Sequence, residues 1–249
     1  MQSVPRHLLE VLFGLYATVA FALVALCTVA LLVVIPGREA CRRIVRRAAA
    51  CVFRLTGTRL HVRGLSHIPS EPCIIVANHA SYLDGPLLTA VLPPRFAFVI
   101  KREMTRVPLA HFLLRRVGSE FVERNESGRT AADTRRLLQK ARQSESLAFF
   151  PEGTFTAEPG LRRFRNGAFA AAVRAGMPVV PVVIRGSRHM LPAGRILPRP
   201  GRLDVIVKPA IRLSETLHAA ALLDEARRSI LADVGEPDLM VAREAVASA

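Results

Sequence analysis

The stretch 73-CIIVANHASYLD-84 begins with five apolar residues and then turns polar at Asn78 and His79. A short apolar run rich in β-branched side chains is typical of a buried strand. Side chains placed where such a strand ends face the crevice in which α/β folds bind their ligands. The stretch therefore predicts a strand over residues 73–77, with His79 at the edge of a sheet.

Apolar runs and helical periodicity alternate along the rest of the chain. Strands are predicted at residues 96–100, 121–122, 147–150, 179–184 and 203–207, and helices at 85–92, 107–117, 130–142, 167–175 and 214–233. Pro181 is expected at a sheet edge or a bulge, because proline donates no ladder hydrogen bond. The alternation predicts an α/β fold with a mixed, largely parallel sheet flanked by helices.

The N-terminal segment is apolar enough to enter a membrane. Residues 11–35 carry no charge, and a helix of that length crosses a hydrocarbon core of roughly 30 Å. Six arginines and one glutamate follow between Arg38 and Arg54, which places that side and the chain after it in the cytoplasm. The run is too long for a signal peptide. A spanning helix is favoured, and a hairpin broken at Gly14 and embedded in one leaflet stays open.

The chain divides into three predicted regions: a membrane anchor over residues 1–37, a basic interfacial segment over 38–56 and one globular domain over 57–249. Residues 41–55 have the periodicity of an amphipathic helix that lies on an anionic membrane surface. The net charge of +15 favours anionic partners. Nucleic acid would not explain the apolar run, and two tyrosines without tryptophan give little scope for base stacking.

His79 and Asp84 are a candidate catalytic pair. If the turn after the strand folds back, Asp84 accepts a hydrogen bond from one imidazole nitrogen, and the other nitrogen takes a proton from an alcohol. Alternatively, His79 caps a turn and Asp84 caps the helix that begins at Gly85, since aspartate is a favoured N-cap. The spacing alone does not decide between these two arrangements.

Two further stretches are candidate binding elements. Residues 150–154 (FPEGT) form a glycine turn that is suited to an anion or a hydroxyl, or else a simple β-turn. Arg124 follows a short strand and is a candidate phosphate ligand, or else a partner in a surface ion pair. No G-x-S-x-G or nucleotide-binding glycine motif occurs, which argues against a serine hydrolase and a nucleotide-binding enzyme.

Together these blocks resemble the glycerolipid acyltransferase family. The family's NHxSxxD block matches Asn78, His79, Ser81 and Asp84, and its FPEGT block matches residues 150–154. The family's second block resembles residues 118–124, and its aliphatic block around a proline resembles 179–184. Residues 101–104 (KREM) and 164–169 (FRNGAF) are also similar to the family, and the order and spacing agree over roughly residues 60–210.

The resemblance implies an O-acyltransferase of phospholipid biosynthesis at the cytoplasmic (inner) membrane, with its catalytic domain on the cytoplasmic side. It implies His79 as general base and Asp84 as its partner, and the implied substrate-binding residues are Arg124, Glu152, Gly153, Thr154, Lys101 and Ser81. The donor would be the thioester of acyl-CoA or acyl carrier protein. The acceptor would be a lysolipid, foremost 1-acyl-sn-glycerol-3-phosphate, giving phosphatidic acid. Neither a metal nor another cofactor is implied, nor is nucleic acid a partner.

One position departs from the family pattern. The family usually has arginine directly after EGT, and this chain has Phe155. A phosphate-binding cation is then supplied by Arg162, Arg163 or Arg165, or the acceptor is another lysolipid, such as a lyso-aminolipid. A non-catalytic membrane-surface protein is the remaining alternative, and such a protein would normally have lost His79 or Asp84.

Overall fold

The computed structural model describes residues 6–122, 139, 145–212 and 218–240. Seven strands form one sheet in the order β1-β7-β6-β2-β5-β3-β4. They are β1 (Arg59–Arg63), β2 (Ile74–Ala77), β3 (Phe96–Lys101), β4 (Glu120–Val122), β5 (Ser146–Phe149), β6 (Val179–Arg185) and β7 (Arg202–Val207). Only the β6–β7 pair is antiparallel among these strands. This confirms the predicted mixed, largely parallel sheet.

Helices cover both faces of the sheet. They are α1 (Arg6–Val34), α2 (Arg38–Leu55), α3 (Asp84–Val91), α4 (Pro108–Arg116), α5 (Gly167–Ala175), α6 (Ser187–Met190) and α7 (Ala219–Val234). Along β2, Ile74 and Val76 pack against the α5–α7 side, whereas Ile75 and Ala77 pack against the α2–α3 side. Both faces of β2 are therefore buried, which explains why this strand is continuously apolar.

Strand β6 is interior, so of the two predicted positions for Pro181 the structure has the bulge and not the sheet edge. Val182 pairs with Val207 of β7, and Val179 pairs with Ile211 beyond the end of β7. Three residue steps on β6 therefore face four on the partner chain, which is a bulge, and Pro181 lies within it. The predicted helix 214–233 is present as α7 from Ala219, after the extended backbone of His218, and residues 214–217 lie outside the described residues. Strand β1 was not predicted, and the predicted helix 130–142 lies outside the described residues except for Gln139.

Helix α1 is unbroken and lies along the domain. It passes straight through Gly14, so the predicted alternative of a hairpin broken there is wrong, and the chain turns instead at Pro36-Gly37. The buried residues of α1 form a stripe at helical spacing: Gly14, Ala17, Ala20, Thr28 and Leu32. The opposite side exposes leucine, valine and phenylalanine side chains. The helix is long and apolar enough to cross a membrane, and it also has a docking stripe on the domain.

Helix α2 packs against protein on both sides. Phe53 is buried in the core beside α3, and the Tyr16 hydroxyl of α1 donates to the Leu55 carbonyl, 2.9 Å away. The Arg42 side chain is only 10% exposed; it donates to the carbonyls of Val117 and Arg95 and pairs with Glu145. Arg42 and the buried apolar side of the helix are thus committed to protein contacts, and the placement of the segment at a membrane surface stays a prediction for its exposed arginines.

The docking of α1 depends on the absence of a side chain at Gly14. A Cβ atom there would stand 2.8 Å from the Cβ of Leu197 and 2.9 Å from the Pro198 carbonyl oxygen. We expect Gly14→Leu to lower the free energy of unfolding by about 1–3 kcal/mol, because overpacking displaces the helix. Ala22→Leu, on the exposed side of the same helix, is the matched control. Equal unfolding midpoints for both variants in detergent would show that α1 is not docked through Gly14.

Candidate active site

The loop after β2 folds back so that His79 and Asp84 meet. The Nδ1 atom of His79 lies 2.9 Å from Oδ2 of Asp84, and the Asp84 side chain is fully buried. The same oxygen accepts hydrogen bonds from the backbone N–H groups of Ala80 (2.7 Å) and Ser81 (2.8 Å). The carboxylate thus binds the loop before α3 and does not cap that helix, whose N-cap is Leu83. Of the two arrangements left open by the spacing, the structure has the His–carboxylate pair.

Aromatic rings hold the imidazole of His79 in place. Phe150 stacks on it with ring centroids 4.3 Å apart and planes at 20°, and Phe155 lies 4.5 Å away at 59°. Tyr82 meets Phe155 edge-on at 4.8 Å. Because Nδ1 is bound to Asp84 and the His79 side chain is 15% exposed, the ring edge that carries Nε2 is the part left for a substrate.

Glu152 connects the His79 loop to the segment that follows the FPEGT turn. It is 4% exposed, and its Oε1 accepts from the His79 N–H at 2.6 Å while its Oε2 accepts from the Arg162 N–H at 2.9 Å. This placement does not support the predicted contact with the acceptor. It gives Glu152 the role of fixing the backbone of His79 against the segment that follows the FPEGT turn.

Ser81 and Asn78 are also committed to the protein. The Ser81 hydroxyl donates to the Leu191 carbonyl at 2.7 Å and accepts from the Leu83 N–H at 3.0 Å, so it is not directed at a substrate as predicted. The Asn78 amide bridges to β6, donating to the Ile184 carbonyl and accepting from the Ile184 N–H. Both side chains therefore set the shape of the His79 loop.

The predicted binding residues separate into different places. Gly153 has φ +80°, and Nε of Arg165 lies 2.8 Å from where a Cβ of residue 153 would stand. Arg165 is thus the arginine of the following segment that lies over the FPEGT turn, next to the exposed Thr154. Lys101 is exposed and pairs with Glu103 at 2.9 Å. Arg124 lies outside the described residues.

Sequence reasoning missed two features of the site. Phe155 was considered only as a missing cation, and its contact with His79 has no signal in the local sequence. Arg188 holds the loop after the turn, because its guanidinium binds both carboxylate oxygens of Glu236 and donates to the Glu158 carbonyl. Residues 188 and 236 are far apart in the chain, so no spacing pattern reveals this tie. In the described part of the chain, no group of three or more His, Cys, Asp or Glu side chains is placed to hold a metal.

Comparisons with known proteins agree with this geometry. The fold resembles the crystal structure of the 1-acyl-sn-glycerophosphate acyltransferase from Thermotoga maritima, with a TM-score of 0.75, 23% identity, and coverage of 91% of this chain and 97% of that one. The chain is 32% identical over 173 residues to a chloroplastic 1-acyl-sn-glycerol-3-phosphate acyltransferase of Brassica napus, which covers 68% of this chain and 49% of the relative. It is 37% identical over 131 residues to the lyso-ornithine lipid O-acyltransferase of Pseudomonas aeruginosa, which covers 53% and 50%.

By its fold and its site, the molecule is an α/β protein with a His–carboxylate pair, whose carboxylate is buried, at the edge of its sheet. The acyltransferase family model matches residues 59–185, just over half of the chain, and the chain belongs to this family. The resemblance drawn from the motifs is therefore confirmed. The chain spans about half the length of the two relatives described above.

Glu152 gives the fold a pH dependence of known sign. Burial raises its pKa from 4.5 to about 7, although the N–H groups of His79 and Arg162 lower it. Between these values the folded state holds a proton that the unfolded state has lost, so stability falls as pH rises from 4.5 through 7. The non-titrating variant Glu152→Gln should lack this loss, which is on the order of 3 kcal/mol.

The measurement is the free energy of unfolding of both proteins at pH values below 4.5 and above 7. The wild type should lose stability relative to Glu152→Gln as the pH rises. Glu158→Gln removes an exposed carboxylate from the following loop and should keep the wild-type pH dependence. A gain of wild-type stability relative to Glu152→Gln over this range would contradict the assignment.

Proposed function

We propose that this protein transfers a fatty acyl group from a thioester, acyl-CoA or acyl carrier protein, to the hydroxyl of a lysolipid, foremost 1-acyl-sn-glycerol-3-phosphate. The observation that carries this proposal is the 2.9 Å contact between His79 and the buried carboxylate of Asp84. Membership of the acyltransferase family supports the reaction type, and the relatives that act on lysolipids support the class of acceptor.

The chemistry follows from the free edge of the imidazole. Nε2 of His79 takes the proton of the acceptor hydroxyl while the oxygen attacks the thioester carbonyl, and Asp84 stabilises the imidazolium that forms. The tetrahedral intermediate then expels the thiolate, and His79 returns the proton to the sulfur. One ester forms and one thioester breaks, and neither an acyl-enzyme nor a metal is required in this scheme.

A second acceptor class is favoured by the surroundings of Phe155. Its ring fills the place directly after the EGT string and packs on His79, so the nearest cation over the turn is Arg165. The lyso-ornithine lipid O-acyltransferase of Pseudomonas aeruginosa is the relative reported above with the higher identity. A lyso-aminolipid is therefore the alternative acceptor, and a comparison of kcat/KM for it and for 1-acyl-sn-glycerol-3-phosphate separates the two.

The location of the reaction follows from α1. Its outward side exposes large apolar residues such as Leu12, Val19 and Leu26, and its inner stripe is docked on the domain. A helix that is docked along its length and apolar on its other side is suited to lie in the membrane surface. We propose that α1 holds the domain on the cytoplasmic side of the inner membrane, and the exposed arginines of α2 support that orientation.

Removal of the general base tests the function. We expect His79→Ala to lower acyl transfer by a factor on the order of 10²–10⁴, because it removes the group that receives the proton of the hydroxyl in the proposed scheme. The measurement is transfer of radiolabelled acyl chains to lysolipid by purified protein. His218→Ala, at the exposed N-cap of α7, is the control and should keep wild-type turnover. Equal turnover in both variants would remove His79 from the mechanism.

The contact of Phe155 with His79 leads to a separate expectation. Phe155→Ala should lower kcat by about fivefold with either acceptor, because an aromatic contact of this kind stabilises the ring position by about 1 kcal/mol. Phe155→Leu should retain more activity than Phe155→Ala. The control is Phe121→Ala, which removes a ring beside His111, 5.4 Å away, and should leave kcat within about twofold. A change in acceptor KM alone would assign Phe155 to binding and not to positioning.

A further inference from the structure

A cavity that does not include His79 lies between α1 and the amino end of β1. It has a volume of about 270 Å³ and is open to solvent. Its walls are Phe13 of α1, the turn Thr56-Gly57-Thr58 after α2, and residues Arg59, Pro200, Gly201 and Arg202. The sequence motifs do not account for this cavity, and neither does the proposed acyl transfer.

Two arginines give the cavity its charge. Arg59 and Arg202 are register partners on the parallel strands β1 and β7, so they stand side by side. Within the part of the chain that the structure describes, no carboxylate pairs with Arg59. The side chain of Arg202 is 63% exposed and has one weak contact, 3.4 Å from Asp204. Two adjacent guanidinium groups with little compensation are suited to bind the oxygens of a phosphate.

The threonine hydroxyls of the turn are less available to an anion than the two arginines, because they are bonded within the protein. Thr56 Oγ1 donates to the Val52 carbonyl at 3.0 Å and lies 2.9 Å from Thr58 Oγ1. The backbone N–H groups of the turn are bonded to the end of α2. Recognition of an anion in this cavity therefore depends on the two arginines.

The cavity shares a sheet edge with the active site. Strand β7 is antiparallel to β6, which itself is parallel to β2, so the amino ends of β1 and β7 lie where β2 ends and His79 follows. Strands β7 and β1 are the second and third neighbours of β2 on that side. At the usual spacing of strands this is roughly 10 and 14 Å to the side of β2.

The wall formed by α1 is apolar and continues outward. Leu9, Phe13 and Tyr16 follow one another at helical spacing on one side of α1, and Leu9 and Tyr16 are half exposed. The cavity thus joins a basic strand end to the side of a helix that we place at the membrane. An amphiphile that has a phosphate and alkyl chains matches both walls, whereas a free phosphate matches only one.

We propose that this cavity binds the phosphate of an anionic membrane phospholipid, with Arg59 and Arg202 as phosphate ligands and Phe13 against its acyl chains. The inference rests on the membrane placement of α1 proposed above. It does not require acyl transfer, because binding is measured without donor or acceptor. A failure of lipid binding therefore leaves the catalytic proposal intact, and the reverse also holds.

The test is native mass spectrometry of the full chain in a neutral detergent, titrated with dioleoyl phosphatidylglycerol or dioleoyl phosphatidylcholine. The wild type should bind one phosphatidylglycerol more tightly than phosphatidylcholine. The double variant Arg59→Gln/Arg202→Gln should lose at least about tenfold in affinity for phosphatidylglycerol, since each removed group makes a charge-assisted contact. The control Arg174→Gln/Arg228→Gln removes the same charge from exposed positions on α5 and α7 and should stay within about twofold.

Further measurements distinguish a phospholipid from inorganic phosphate and from coenzyme A as the ligand of the cavity. Phe13→Ala should weaken phosphatidylglycerol binding but not the binding of inorganic phosphate, and coenzyme A should not displace the lipid. Displacement by coenzyme A would assign the cavity to a donor molecule and overturn the proposal, as would binding of inorganic phosphate as tight as that of the lipid. Equal loss in the two double variants would also overturn it. Arg59→Lys/Arg202→Lys keeps the charge and, together with the unfolding midpoint, shows that any loss is not a folding defect.

Discussion

The carboxylate of Asp84 is buried, and the loop that carries His79 is folded around it. A buried charge is strongly destabilising unless hydrogen bonds replace its water. Here three N–H donors, from the imidazole of His79 and the backbones of Ala80 and Ser81, converge on Oδ2. Oδ1 is buried and has no hydrogen-bond partner among the described residues. In the catalytic scheme proposed above, a positive charge on His79 lies directly beside this buried carboxylate.

This arrangement places strict demands on the backbone of the loop, and distant residues meet them. The Asn78 amide hydrogen-bonds the end of β2 to Ile184 of β6, and Glu152 accepts a hydrogen bond from the N–H of His79. Burial of Glu152 lowers the stability of the fold when its carboxyl is ionised, because burial raises its pKa to about 7. The protein therefore accepts one unfavourable buried carboxylate to hold the backbone of His79, while a second one, that of Asp84, serves the imidazole ring itself.

Features set by neighbouring residues, such as the strands, could be predicted from the sequence, whereas contacts between residues far apart in the chain mostly could not. The strand before His79 was predictable, since apolar residues on both of its faces are buried, and the fold class followed from alternation. The pairing of His79 with Asp84 was open until the loop conformation was known, because five residues on a straight helix would not bring them together. The contact of Glu152 with His79 joins residues 73 apart. Arg42 was misplaced because an amphipathic pattern does not distinguish a membrane from a neighbouring helix.

Helix α1 and the His79 loop both contact one short segment, residues 190–199. Leu197 and Pro198 receive Gly14 of α1, and a few residues earlier the Leu191 carbonyl accepts the hydroxyl of Ser81. The N–H of Arg199 donates to the Met190 carbonyl at 2.9 Å, which folds this segment into one compact loop. A displacement of α1 would therefore act on the His79 loop both through this loop and through α2, which packs against α3. The docking of α1 and the backbone position of the His79 loop therefore depend on shared contacts.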